Sequence, residues 1–116
     1  MSKEIIDLED VMERVENDKE LFMELLDIFV QDYLEKRFSL DDIIKNDDFD
    51  QIKDIAHSIK GASGNISAKS VHACCVSLEE LAIDKKMDEI KIKMDELDKE
   101  FCRLQEHIEQ LKQDFK

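Results

Sequence analysis

His57 is the side chain in this sequence best suited to covalent chemistry, because an imidazole has a reference pKa of about 6.5 and its neutral form is a nucleophile near pH 7. Its neighbours are unusual. Lys60 follows at three residues, and both glycines of the chain, Gly61 and Gly64, follow at four and seven. On a helix these offsets return to the face that His57 occupies. An exposed imidazole there would have one cation beside it and two positions stripped of side chains, a floor on which another protein's backbone or loop can approach the ring nitrogen without meeting a Cβ. Lys60 can offset the charge of a phosphoryl group placed on that nitrogen. The plainer alternative is a surface histidine followed by glycines that mark a fraying helix end.

A helix must carry that face, and the apolar spacing predicts one from about residue 48 to 65. Ile52, Ile55, Ala56, Ile59, Ser63 and Ile66 fall on one stripe, and His57 points roughly 140° away from it, toward water. Each glycine costs such a helix roughly 1 kcal/mol relative to alanine, so their presence calls for a reason. A short helix precedes it over about residues 7–16, with Leu8, Val11, Met12 and Val15 on one side. Asn17 and Asp18 break the chain and cap a long helix to about residue 45, with Leu21, Phe22, Leu25, Leu26, Phe29, Tyr33, Leu40, Ile43 and Ile44 inward. Asn46, Asp47 and Asp48 end it, and the acidic cluster Asp47, Asp48 and Asp50 favours the start of the next. Ser67 is the expected cap of a fourth helix, with Val71, Cys74, Cys75, Leu78, Leu81 and Ala82 inward, ending near Asp84. A last helix carries Met87, Ile90, Met94, Leu97, Phe101, Leu104, Ile108, Leu111 and Phe115 in steps of three and four.

That last seam could form a self-associating coiled coil. Three other amphipathic helices also need a partner surface, and an antiparallel up-down four-helix bundle with a short extra N-terminal helix satisfies every stripe at once. The fold class is therefore all-α. The 116 residues fit a single domain over 1–116, and the absence of proline, with two glycines only, removes the usual punctuation of a β domain. A net charge of −13 repels polyanions, which argues against nucleic acid as a partner. The segment Met1-Ser2-Lys3-Glu4 opens no leader pattern and no stretch is apolar enough for membrane insertion, so a cytoplasmic monomer is expected. Cys74, Cys75 and Cys102 are odd in number and two are adjacent, a poor disulfide framework.

The run Ala56-His57-Ser58-Ile59-Lys60-Gly61-Ala62-Ser63-Gly64-Asn65-Ile66, continued by Leu78-Glu79, resembles the signature of histidine-containing phosphotransfer (HPt) domains of two-component phosphorelays. The resemblance implies that His57 is the phosphoacceptor through Nε2, that Lys60 helps hold the phosphoryl group, and that Gly61 and Gly64 keep the partner's approach open. It also implies that Glu79 hydrogen-bonds Nδ1. Antiparallel folding about a turn near residues 66–68 independently sets His57 opposite the upper seventies. The partners implied are receiver domains of response regulators or hybrid sensor kinases, one giving the phosphoryl group from its aspartate and another taking it. Ser67 departs from the glycine or alanine of many members and bears on the turn. Chemotaxis-kinase phosphotransfer domains share His-Ser-Ile-Lys-Gly but usually differ over residues 62–66, which favours the phosphorelay branch.

No Walker loop, kinase signature or nucleotide fingerprint occurs, so the chain is expected to be a phosphoryl carrier without its own ATP site rather than a complete enzyme. No cofactor is expected on it, with Mg²⁺ assigned to the partner receiver. The competing function is an acidic helical interaction module without covalent chemistry. A metal role is not expected: His72, Cys74 and Cys75 point in different directions on a helix, as do Cys102 and His107, and inward Glu-x-x-His pairs are not evident. The cysteines read as core and His72 as surface. Phe38 comes level with His57 if the second and third helices are antiparallel, as a docking patch or as core.

Overall fold

The computed structural model describes residues 5–114, so the readings of residues 1–4 and of Phe115 lie outside the described residues. Five helices follow in order: α1 (Leu8–Arg14), α2 (Lys19–Lys45), α3 (Phe49–Asn65), α4 (Lys69–Ile83) and α5 (Met87–Asp114). Carboxylates start the first three. Asp7 accepts from the Asp10 N–H at 3.1 Å, Asp18 from Leu21 at 3.0 Å and Asp48 from Gln51 at 3.1 Å, each satisfying a donor that has no partner within its helix.

The turns are made without glycine. Glu16, Asn17, Asp47, Ser67 and Lys85 all take positive φ, between 52° and 62°. Each such residue costs about 1 kcal/mol against its own Cβ, a strain that the helix packing on either side offsets. Ser67 is one of them, and it is not the cap of α4. Ala68 holds the cap position, with no side-chain hydrogen bond. The Ser67 hydroxyl donates instead to Asp10 Oδ2 at 2.5 Å, while its carbonyl accepts from the Asp7 N–H at 3.0 Å, so the residue fastens α1 to the α3–α4 turn.

Helices α2, α3, α4 and α5 pack in sequence, and α5 returns to α2, closing an up-down four-helix bundle on which α1 is laid. Phe22, Leu26, Phe29, Tyr33 and Leu40 of α2 face Ile90, Leu97, Phe101, Leu104 and Ile108 of α5 across a core completed by Ile52, Ala56 and Ile59 of α3 and Val71, Cys75 and Leu78 of α4. Tyr33 stacks on Phe101 with ring centroids 3.8 Å apart. Arg37 clamps α2 to α5 through both oxygens of Asp98, at 2.7 and 3.0 Å. With 27 and 28 residues, α2 and α5 outrun the 17 of α3 and 15 of α4, and Lys112 reaches Asp27 at 2.6 Å in that overhang.

Some inward expectations fail at the edges of stripes. Leu21 is 40% exposed, and Cys74 and Leu81 are only partly buried, because the inward line of α4 runs through Val71, Cys75, Leu78 and Ala82. Phe38 is 77% exposed and not core. It lies on the face of α2 turned away from the buried line of Phe22, Leu26, Phe29, Tyr33 and Leu40. Cys75 is buried, and burial pushes its thiol up to about 12, where it stays protonated and inert. Among the described residues no helix is long and apolar enough to cross a membrane.

Candidate functional site

Helix α3 delivers His57 and Lys60, and α4 delivers Glu79 from the opposite side of their shared groove. The inward line Ile52, Ala56, Ile59 and Ser63 fixes the rotation of α3, which leaves the His57 side chain 69% exposed. Leu78 and Ala82 fix α4 in the same way, and Glu79 lies at the edge of the interface with 18% of its side chain exposed. Its two oxygens have separate partners. Oε2 lies 2.7 Å from His57 Nδ1, and Oε1 accepts from Lys60 Nζ at 2.9 Å.

The ionised carboxylate only accepts, so the proton of this bond belongs to His57 Nδ1. The neutral ring is thereby held in the tautomer whose bare nitrogen is Nε2. The Lys60 ammonium holds the Glu79 carboxyl below its ordinary range, with the His57 bond acting in the same direction and partial burial opposing both. Glu79 is therefore a fixed anion that orients one group and parks another.

The two glycines are not equivalent. A Cβ built on Gly61 would meet nothing within 4 Å, so the surface one turn from His57 is open. On Gly64 it would stand 3.7 Å from His72 Nδ1, so this position borders α4. His72 is not a plain surface residue as its sequence position suggested. It is half-buried, and its Nδ1–H donates to the Lys60 carbonyl at 3.0 Å. Sequence reasoning missed this contact and the Lys60–Glu79 ion pair. The second was within reach, since a residue opposite His57 is also close to the position one turn later.

The Hpt domain family model matches residues 24–114. The chain belongs to this family. Hpt domains are the histidine phosphotransfer intermediates of phosphorelays and interact with receiver domains, and the chain is such an intermediate, as its sequence implied. The crystal structure of histidine-containing phosphotransfer protein B (HptB) from Pseudomonas aeruginosa PAO1 superposes with a TM-score of 0.89. The two are 26% identical, and the match covers 99% of this chain and 100% of that one. A comparison with curated proteins finds no match. The Hpt match begins within α2, so α1 and the start of α2 lie outside the family model, while the structural match takes in nearly the whole chain.

Proposed function

We propose that His57 Nε2 is the phosphoacceptor of this Hpt domain, taking the group from a receiver-domain phosphoaspartate and passing it to the aspartate of a second receiver. The observation that carries this reading is the 2.7 Å contact between Nδ1 and Glu79 on an otherwise exposed ring. It occupies one ring nitrogen and turns the other outward.

In the forward step the Nε2 lone pair attacks phosphorus, the P–O bond to the acyl oxygen breaks, and the aspartate departs as carboxylate. Nδ1 keeps its proton, so the product ring is a phosphoimidazolium whose positive charge faces the Glu79 carboxylate. In the second step the carboxylate of the next receiver attacks phosphorus, the P–N bond breaks, and its electron pair returns to Nε2. The leaving group is a neutral imidazole. Neither step requires a proton transfer, which suits a carrier that must accept and release the same group.

Lys60, one turn from His57, is the cation within reach of the phosphoryl oxygens, and its salt bridge to Glu79 keeps it there before the group arrives. Gly61 leaves the approach clear for the partner's loops. Mg²⁺ belongs, in this reading, to the acidic pocket of the receiver, and this chain adds the nucleophile, its orientation and one lysine. We place the protein in the cytoplasm as a monomer with no nucleic-acid partner, on the charge of −13 and a cysteine pattern, odd in number with two adjacent, that makes a poor disulfide framework.

Incubation with a panel of phosphorylated receivers tests the reading. Wild-type protein should acquire an acid-labile, base-stable phosphate that is absent from His57→Gln. Equal lack of label in both, across the panel, would instead favour a noncovalent interaction module.

A further inference from the structure

Glu79 works only if α3 and α4 hold their axial register, because a slip of one residue moves a side chain by about 1.5 Å and separates a 2.7 Å contact. Helix α4 begins without a side-chain cap, so its first turn is not anchored by the means that start α1, α2 and α3. His72 lies in that first turn. It precedes Glu79 by seven residues, two helical turns, and so shares the row that faces α3.

The His72 ring reaches across to the backbone of α3 at the residue that matters for the site. Its Nδ1–H donates to the carbonyl of Lys60, the same oxygen that accepts the Ser63 hydroxyl at 2.9 Å. Gly64 makes the seat: the position where its Cβ would stand is 3.7 Å from Nδ1 and 3.9 Å from Cε1, so a methyl fits there and a branched side chain meets the ring. The second glycine of the motif thus serves the contact between two helices, whereas Gly61 serves the open surface.

We propose that His72 is a positioning residue for phosphotransfer, a pin from α4 to the Lys60 carbonyl that keeps Glu79 in register with His57 and Lys60. The proposal rests on His57 being the phosphoacceptor. Its action is on the tautomer and orientation of His57, through Glu79, and it touches neither the phosphoryl group nor the partner.

Asparagine places an amide nitrogen on Cγ where histidine has Nδ1, so His72→Asn keeps the donor, while His72→Phe keeps ring bulk and removes it. Transfer from a phosphorylated receiver is measured for both, alongside long-range proton–nitrogen spectra of the His57 ring and far-ultraviolet circular dichroism. His72→Phe should fold, lose about tenfold in transfer rate, and shift His57 from the Nδ1–H form toward a mixture of tautomers. His72→Asn should recover most of both. Gly64→Val should reproduce the His72→Phe spectrum and add little to it in the double variant, because the two changes break one contact. Wild-type transfer and an unchanged His57 spectrum in His72→Phe would overturn the pin, as would an Asn variant as impaired as Phe. Should His72→Phe fail to fold, the comparison of Gly64→Ala with Gly64→Val decides: equal transfer and equal His57 spectra overturn the pin. Wild-type protein that takes no phosphate at all would sink the phosphoacceptor reading instead, a distinct result.

Discussion

Glu79 is the residue on which the site turns, since one carboxylate holds the imidazole proton with one oxygen and a lysine with the other. Glu79→Ala should therefore reduce transfer by about tenfold without abolishing it, because Nε2 remains exposed and only its tautomer and charge compensation are lost. Single-turnover labelling from a phosphorylated receiver measures this. The same residue gives a pH signature. Its folded-state pKa lies below the ordinary carboxyl value of 4.5, so its contribution to stability is present above pH 4.5 and disappears as pH falls through the folded value. The denaturation midpoint of wild type minus that of Glu79→Gln should shrink over that acidic window; a constant difference would remove the ion pair as its cause. His57 and Lys60 were legible from residue type and spacing alone. Glu79 came from family resemblance and antiparallel folding together. His72 was not legible, because its partner is a backbone carbonyl, and a carbonyl has no residue type to match.

Among the elements, α3 carries the trade between function and helix stability. Gly61 sits inside the helix with open space where its side chain would be, so Gly61→Ala should stabilise the protein by about 1 kcal/mol in denaturant titrations. Gly61→Trp should leave the circular dichroism helical and slow transfer, because the indole occupies the partner's approach; unfolding instead would make the position structural. Asp48→Ala should cost about 1 kcal/mol by removing the bond to the Gln51 N–H, read from the same titrations. The helices themselves were readable from apolar periodicity and the Asp18 cap from its residue type, whereas Asp48 was expected only as one of an acidic cluster at the start of α3. The α3–α4 turn was placed near residues 66–68, but its internal structure was not legible. Ser67 has the side chain of a cap, yet its positive φ and its bond to Asp10 depend on where α1 lies, and local sequence does not contain that.

For the molecule as a whole, the core and the site are separable because they occupy opposite sides of the same helices. The stacked pair Tyr33 and Phe101 joins α2 to α5, and neither residue takes part in the site. Phe101→Ala should lower unfolding stability by about 3 to 5 kcal/mol while transfer per folded molecule stays at the wild-type rate in mild conditions. Slower transfer by the folded protein would mean that this packing reaches the site. The bundle was legible because four amphipathic stripes leave few other ways to hide apolar surface. Which side of α2 each residue faces was less so: Phe38 was level with His57 as a docking patch or as core, and rotation of α2 turns it to solvent.

The amino-acid order alone determined the helices, the bundle and an exposed imidazole with a lysine and a glycine beside it, since these follow from spacing along one element. Tertiary structure decided what spacing along one helix cannot: that Lys60 and His57 share one carboxylate, that Gly64 borders the His72 ring, and that Ser67 ties down α1. Those are contacts between elements, and their geometry depends on how far and how rotated one helix lies against another.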